Sequence, residues 1–223
     1  MELRFEWARA TRDLDFTVAS RPAGEGDTLL DYLQTRGAID NEDHFSFRVG
    51  EAMVDLNAAP YGGARYPVEA IMAGRTFVKF HVDIGVGDVI IDPVETTLPR
   101  DWLGFAGIEP PLVPMISAAQ QFAEKIHAYT LPRGSAPNSR VRDLVDMVLL
   151  IRGANLAPVL VAEAIRRTFA RRDTHPFPID VAPPPPAWEK PFESMAKDCE
   201  LFTSFADAYT ELREFLFWKV SLT

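Results

Sequence analysis

Two carboxylates stand two positions apart in Arg12-Asp13-Leu14-Asp15-Phe16. In an extended strand, residues two apart share a face. Asp13 and Asp15 would therefore lie side by side, with Leu14 and Phe16 anchoring the strand in a core. Adjacent carboxylates repel one another unless a cation sits between them. Carboxylate oxygens suit Mg²⁺, which is commonly held by one or two carboxylates plus substrate phosphates. A solvated strand face explains Asp-x-Asp about as well. Asp83 adds a third carboxylate on another strand, where Val78, Phe80, Val82 and Ile84 face one side and Lys79, His81 and Asp83 the other. Three carboxylates on the polar faces of two strands match the needs of two-metal chemistry. There two cations about 3.5–4 Å apart clamp the attacking and leaving oxygens of an in-line displacement.

Lys125 and Asp143 come next. In Glu124-Lys125-Ile126-His127-Ala128 the lysine sits beside an apolar helical stripe, from which its ammonium could reach a triphosphate. Asp143 lies early in the following helix, in Arg142-Asp143-Leu144-Val145-Asp146. Chemistry alone reads both as structural, since an acidic first turn complements the helix dipole and a helix lysine is usually solvated. His81 shares the face of Asp83 and reads as an exposed strand histidine. His44, His127 and His175 show no ligand spacing. Arg166, Arg167, Arg171 and Arg172 cluster at one helix end, where they could meet an RNA backbone or simply complement the dipole.

The elements that must position these residues follow from periodicity. Thr11 to Val18 alternates as a strand. Thr28 to Thr35 reads as a helix, and Phe45, Phe47 and Val49 alternate again before Val54 and Leu56. Arg65 to Met72 and Thr76 to Ile84 form two strands joined at Ala73-Gly74-Arg75, a hairpin signal. Beyond residue 110 the chain turns helical. Ser117 with Gln120 has the form of a capping box, ahead of a stripe of Ala119, Phe122, Ala123 and Ile126. Val141, Leu144, Val145, Val148 and Leu149 make a second stripe, with Gly153 placed to stop it. A third helix runs from Pro158, suited to a first helical position, to about Arg172. Pro176 to Pro191 reads as an extended proline-rich connector. Phe202 to Val220 reads as a last amphipathic helix whose aromatic residues belong to the core. This is an α+β order, a mixed sheet over residues 1–110 followed by a helical portion over 111–223.

Composition narrows the partners. A net charge of −9 over 223 residues argues against a general nucleic-acid coat protein, because phosphate affinity needs accumulated Lys and Arg. The single Cys199 cannot form an internal disulfide and reads as a small buried apolar residue. No long uncharged apolar run predicts a membrane span, and the amino terminus lacks the order of a secretion signal. A cytoplasmic location is expected.

Four strings in order carry a resemblance. They are Ala8-Arg9-Ala10-Thr11-Arg12-Asp13-Leu14-Asp15-Phe16, Phe80-His81-Val82-Asp83-Ile84-Gly85-Val86-Gly87-Asp88, Glu124-Lys125-Ile126-His127-Ala128, and Ser139-Arg140-Val141-Arg142-Asp143-Leu144-Val145-Asp146. Together they resemble the AbiEii family, nucleotidyltransferase toxins of bacterial toxin–antitoxin and phage-defence systems, from Arg9 to about Trp188. The resemblance implies a polymerase-β-like nucleotidyltransferase fold with a helical carboxyl-terminal part. It implies that Asp13 and Asp15 hold metal, that Asp83 is a third acidic site residue, that Lys125 contacts nucleotide phosphate and that Asp143 belongs to the active site. Family members carry a Lys-Gly-Gly segment before the helix that leads to the Asp-x-Asp strand. Met1-Glu2-Leu3-Arg4 already resembles that helix, so the chain is expected to be shortened at its start. Gly62-Gly63 follows the Asp pair and reads as a turn.

The expected activity is transfer of a nucleoside monophosphate from an NTP, with Mg²⁺ or Mn²⁺, to an acceptor such as RNA or tRNA. The alternative is a catalytically impaired remnant that binds a cognate antitoxin. A glycosyltransferase using Asp-x-Asp is disfavoured by the Lys125 and Asp143 strings.

Overall fold

The computed structural model describes residues 1–9, 13–20, 28–56, 59–101, 104–134 and 139–219. The chain forms two compact units, one of Thr11–Ile90 and one of Met1–Ala10 with Ile91–Thr223.

The first unit is a mixed sheet. Its strands are β1 (Asp13–Val18), β2 (Phe45–Val49), β3 (Val54–Asp55), β4 (Gly63–Met72) and β5 (Arg75–Val86), with helix α1 (Leu29–Gly37) between β1 and β2. The order is β1-β5-β4-β2, with β3 on β4. β1 runs parallel to β5, and the other pairs are antiparallel. Thr28 caps α1 through a reciprocal capping box with Asp31. β4 and β5 meet at Ala73-Gly74, both at positive φ, as a two-residue hairpin loop requires. The pairing shifts by one residue between Ala70 and Ile71, leaving Phe77 as the extra residue of a bulge. That shift matters for chemistry, because a one-residue slip exchanges the faces of a strand.

Ala64, Tyr66, Val68, Val82, Ile84 and Val86 bury one face of the sheet together with Leu29 of α1. Leu14 and Phe16 lie on this same face, opposite Val82 and Ile84, yet they stay 42% and 52% exposed. The expectation that they anchor β1 in a core is corrected. β1 is the edge strand, and α1 packs on β2 near the opposite edge.

The second unit is built on helices α2 (Ala118–Thr130), α3 (Val141–Gly153), α4 (Pro158–Arg172), α5 (Glu189–Asp198) and α6 (Phe205–Glu214), with a short antiparallel pair β6 (Glu95–Thr97) and β7 (Val113–Met115). Ser117 Oγ accepts the Gln120 backbone N–H at the head of α2. Pro158 opens α4 as expected. α3 is the central helix, packed against α2, α5 and α6, and every residue from Asp143 to Leu150 is buried. Phe122, Ile126, Leu144, Val145 and Val148 show no exposure. Each such side chain contributes about 1.5–3 kcal/mol relative to an exposed one. Cys199 is buried, as its type suggested.

Three expectations differ here. Residues 1–9 form turns rather than a helix. The segment after the proline run begins α5 at Glu189, with Pro191 in its first turn, where a missing N–H costs nothing. The last helical stretch starts at Phe205 rather than Phe202, because Ser204 caps α6 by accepting from the Asp207 backbone N–H, and it runs on into a π-helical turn over Phe215–Lys219, with Val220 outside the described residues. Phe202, ahead of that cap, is 91% exposed, whereas Phe215 is buried. Among the described residues no helix is long and apolar enough to cross a membrane.

Candidate active site

The polar face of the sheet gathers three of the acidic residues singled out by sequence. Parallel pairing sets Asp15 beside Asp83 and Asp13 beside His81. Lateral neighbours in register point to the same side of a sheet, so Asp13, Asp15, His81 and Asp83 share one face. The antiparallel register then places Arg65 of β4 beside Asp83. Its guanidinium donates from Nε to Asp83 Oδ1 and from Nη2 to Asp83 Oδ2, both at 2.7 Å. The same Nη2 stands 3.5 Å from Asp13 Oδ2. Hydrogen bonding to Asp83 raises the guanidinium's pKa, and the charges of Asp83, Asp13 and Asp15 add to the effect. His81 Nδ1 lies 3.3 Å from Asp13 Oδ1.

These contacts bear on which residues suit a divalent cation. Asp13 and Asp15 fit one, as two half-exposed or exposed carboxylates side by side, the number Mg²⁺ takes when substrate phosphates complete its shell. Asp83 is nearly buried and both its oxygens are held by Arg65. Among the described residues no three His, Cys, Asp or Glu side chains form a group able to hold a metal ion.

A second polar group lies in the helical unit. Lys125 of α2 places Nζ 2.6 Å from Asp146 Oδ2 and 3.8 Å from Asp143 Oδ1. Arg9 Nη2 reaches the same Asp146 oxygen at 3.0 Å, and Arg140 Nη1 stands 3.6 Å from Asp143 Oδ2. Asp146 has no exposure, so two cations compensate its burial, as a buried charge demands. Arg9 Nε, Asp143 Oδ2 and Asp146 Oδ1 are buried without a hydrogen-bond partner. Burial pushes the Asp143 carboxyl pKa up, against the lowering pull of Lys125 and Arg140. Lys125 and Asp143 are thus brought together, but the ammonium is paired rather than free.

Arg65 and Asp146 are the residues that sequence reasoning did not single out. Asp146 could have been found from its spacing, since three positions after Asp143 lies on the same helix face. Arg65 could not be aligned with Asp83 without the bulge. An unbroken hairpin counted from Ala73-Gly74 would set Arg65 opposite Val82. The arginine cluster of α4 is partly consumed within the protein. Arg166 pairs with Glu163 at 2.6 Å, and Arg172 turns inward, 3.4 Å from His127 Nδ1.

A family model described as nucleotidyl transferase AbiEii toxin, type IV TA system, matches residues 1–213. That match bears out the resemblance carried by the four strings. Among solved structures the chain is similar to MenT4, a nucleotidyltransferase toxin from Mycobacterium tuberculosis H37Rv. The TM-score is 0.51 and the identity 16%, over 97% of this chain and 77% of that one. At this identity the likeness is one of fold, and it agrees with the α+β nucleotidyltransferase architecture expected. No curated protein matches the sequence.

Proposed function

The chain belongs to the AbiEii nucleotidyl transferase toxin family of type IV toxin–antitoxin systems, and on that premise we propose that it transfers a nucleoside monophosphate from an NTP to RNA, with tRNA as the first acceptor to try. The observation that supports this most is the shared face of Asp13, Asp15 and Asp83 across two parallel strands. An acceptor hydroxyl gives up its proton to solvent, and its oxygen forms the new bond to the α-phosphorus. The bond from that phosphorus to the oxygen bridging to the β-phosphate breaks, and pyrophosphate leaves. The protein's share is positioning and charge neutralisation.

Asp13 and Asp15 hold Mg²⁺ or Mn²⁺ in this proposal, and the cation when bound neutralises charge on the reacting phosphate. Asp83 acts through Arg65, which its two oxygens hold against the sheet. Lys125 contacts nucleotide phosphate and Asp143 belongs to the active site, as the family resemblance implies. Asp146 fixes the ammonium of Lys125. A cytoplasmic location, a cognate antitoxin and a part in phage defence complete the reading.

The test is incubation with each NTP, labelled at either the α- or the γ-phosphate, together with Mg²⁺ and total RNA. Label from the α position alone supports the proposal. Label from the γ position would make the chain a kinase instead.

A further inference from the structure

The carboxylate face carries its own cation. Register brings Arg65 beside Asp83, which is itself beside Asp15, and the guanidinium forks both Asp83 oxygens at 2.7 Å while standing 3.5 Å from Asp13 Oδ2. Its side chain is about one-third exposed and that of Asp83 only 12%, so the carboxylate is largely shielded from water while the guanidinium is partly open to it. Paired bonds between a guanidinium and a carboxylate are among the stronger charge-assisted contacts, and Arg stays protonated at any working pH. The fork therefore persists until something displaces it. It engages both oxygens of Asp83 and sets a positive charge beside Asp13 and Asp15.

Resting on the reading of Asp13 and Asp15 as the cation-holding pair, we infer that Arg65 is a built-in competitor of the divalent ion. It holds down the affinity of this face for a free cation by occupying Asp83 and leaning on Asp13. The bulge at Phe77 is what makes this possible. With an unbroken register Asp83 would face the buried row of Ala64 and Tyr66 instead. A plain cross-strand salt bridge has a different consequence. Removing it would loosen the sheet and leave cation affinity unchanged or lower. A competitor, once removed, leaves affinity higher.

The experiment is Mn²⁺ titration of the full chain, followed by the electron paramagnetic resonance signal of free Mn²⁺, for the wild type, Arg65→Gln, Arg65→Lys and each of these with Asp15→Asn. Circular dichroism checks the fold of every variant. The expected result is Mn²⁺ binding about tenfold tighter in Arg65→Gln, the scale of removing one charge near a dication in a largely solvated site. Asp15→Asn should abolish that gain. Arg65→Lys keeps the charge and loses the fork, so it should fall between wild type and Arg65→Gln, and it stands in if the glutamine variant does not fold. Equal Mn²⁺ binding by wild type and the folded Arg65 variants, lost in both on Asp15→Asn, would overturn the inference and leave the cation-holding pair intact. Mn²⁺ binding that ignores Asp15→Asn, or no binding by any form, would overturn the pair and the inference with it.

Discussion

The ammonium of Lys125 lies 2.6 Å from Asp146 Oδ2, a carboxylate with no exposed surface. With Arg9 Nη2 on the same oxygen at 3.0 Å, a single buried anion ties α2, α3 and the amino-terminal segment together. Removing one member of a buried pair costs about 3–5 kcal/mol, because the partner charge is stranded. Asp146→Ala should therefore lower the melting temperature by roughly 10 °C, at 2–4 °C per kcal/mol for a chain of this size. Lys125→Ala should cost less, since Arg9 remains, and should weaken nucleotide binding as well. Thermal melts and nucleotide titrations of both variants check this. A Lys125→Ala protein with unchanged nucleotide affinity would make the lysine purely structural.

Gly63 tests how tightly β4 and β5 must approach beside the carboxylates. A Cβ added there would lie 2.0 Å from the backbone oxygen of Ile84, next to Asp83, so one of the strands must move. Gly63→Ala should cost about 1–3 kcal/mol, the usual penalty of forcing extra volume into packed structure, read from the urea midpoint. Gly107→Ala, also at a glycine but with nothing within 4 Å of the added atom, has only its positive φ to overcome. A Gly63→Ala protein as stable as the wild type would show the two strands to be less closely held than their geometry indicates.

What the sequence made legible was periodicity. Alternation in β5 assigned Asp83 to the polar face, and the Asp13 and Asp15 pair followed from spacing alone. Ser117 and Pro158 marked helix starts because that chemistry is local, whereas Gly153 is the last residue of α3 rather than its cap, which is Ala154. What stayed hidden depended on pairing between distant segments. Arg65 meets Asp83 only through a bulge that no local signal announces. Leu14 and Phe16 alternate like core residues, but the edge position of β1 leaves them exposed. Asp146 read as one more polar helix residue until α3 proved to be covered on all sides, and Pro191 masked α5 because a proline is harmless in a first turn.

Acid should weaken the helical unit through His175. Its ring lies between Thr130 Oγ1 at 2.8 Å and Thr174 Oγ1 at 3.0 Å, close to His127, and burial lowers its pKa from the ordinary value. The folded state thus takes up this proton at lower pH than the unfolded chain, whose histidine titrates near about 6.5. Where the unfolded state binds more protons, stability falls as pH falls. The loss should begin below about pH 6.5. The melting temperature should drop less between pH 7.5 and 5.5 in His175→Gln than in the wild type. An equal drop in both would assign the acid sensitivity to other groups.

The central reading stands or falls on the Asp13 and Asp15 pair. Asp15 is exposed and asparagine matches its size, so Asp15→Asn should leave the melting temperature within a few degrees of the wild type, the scale of a surface substitution. The decisive measurement is the initial rate of α-labelled nucleotide incorporation into RNA by the wild type and by Asp15→Asn at matched folded concentration. Incorporation by the wild type and a loss of at least about 10²-fold in the variant, the scale of losing one preorganised charge-stabilising group, is the expected result. Incorporation by Asp15→Asn at the wild-type rate would contradict it.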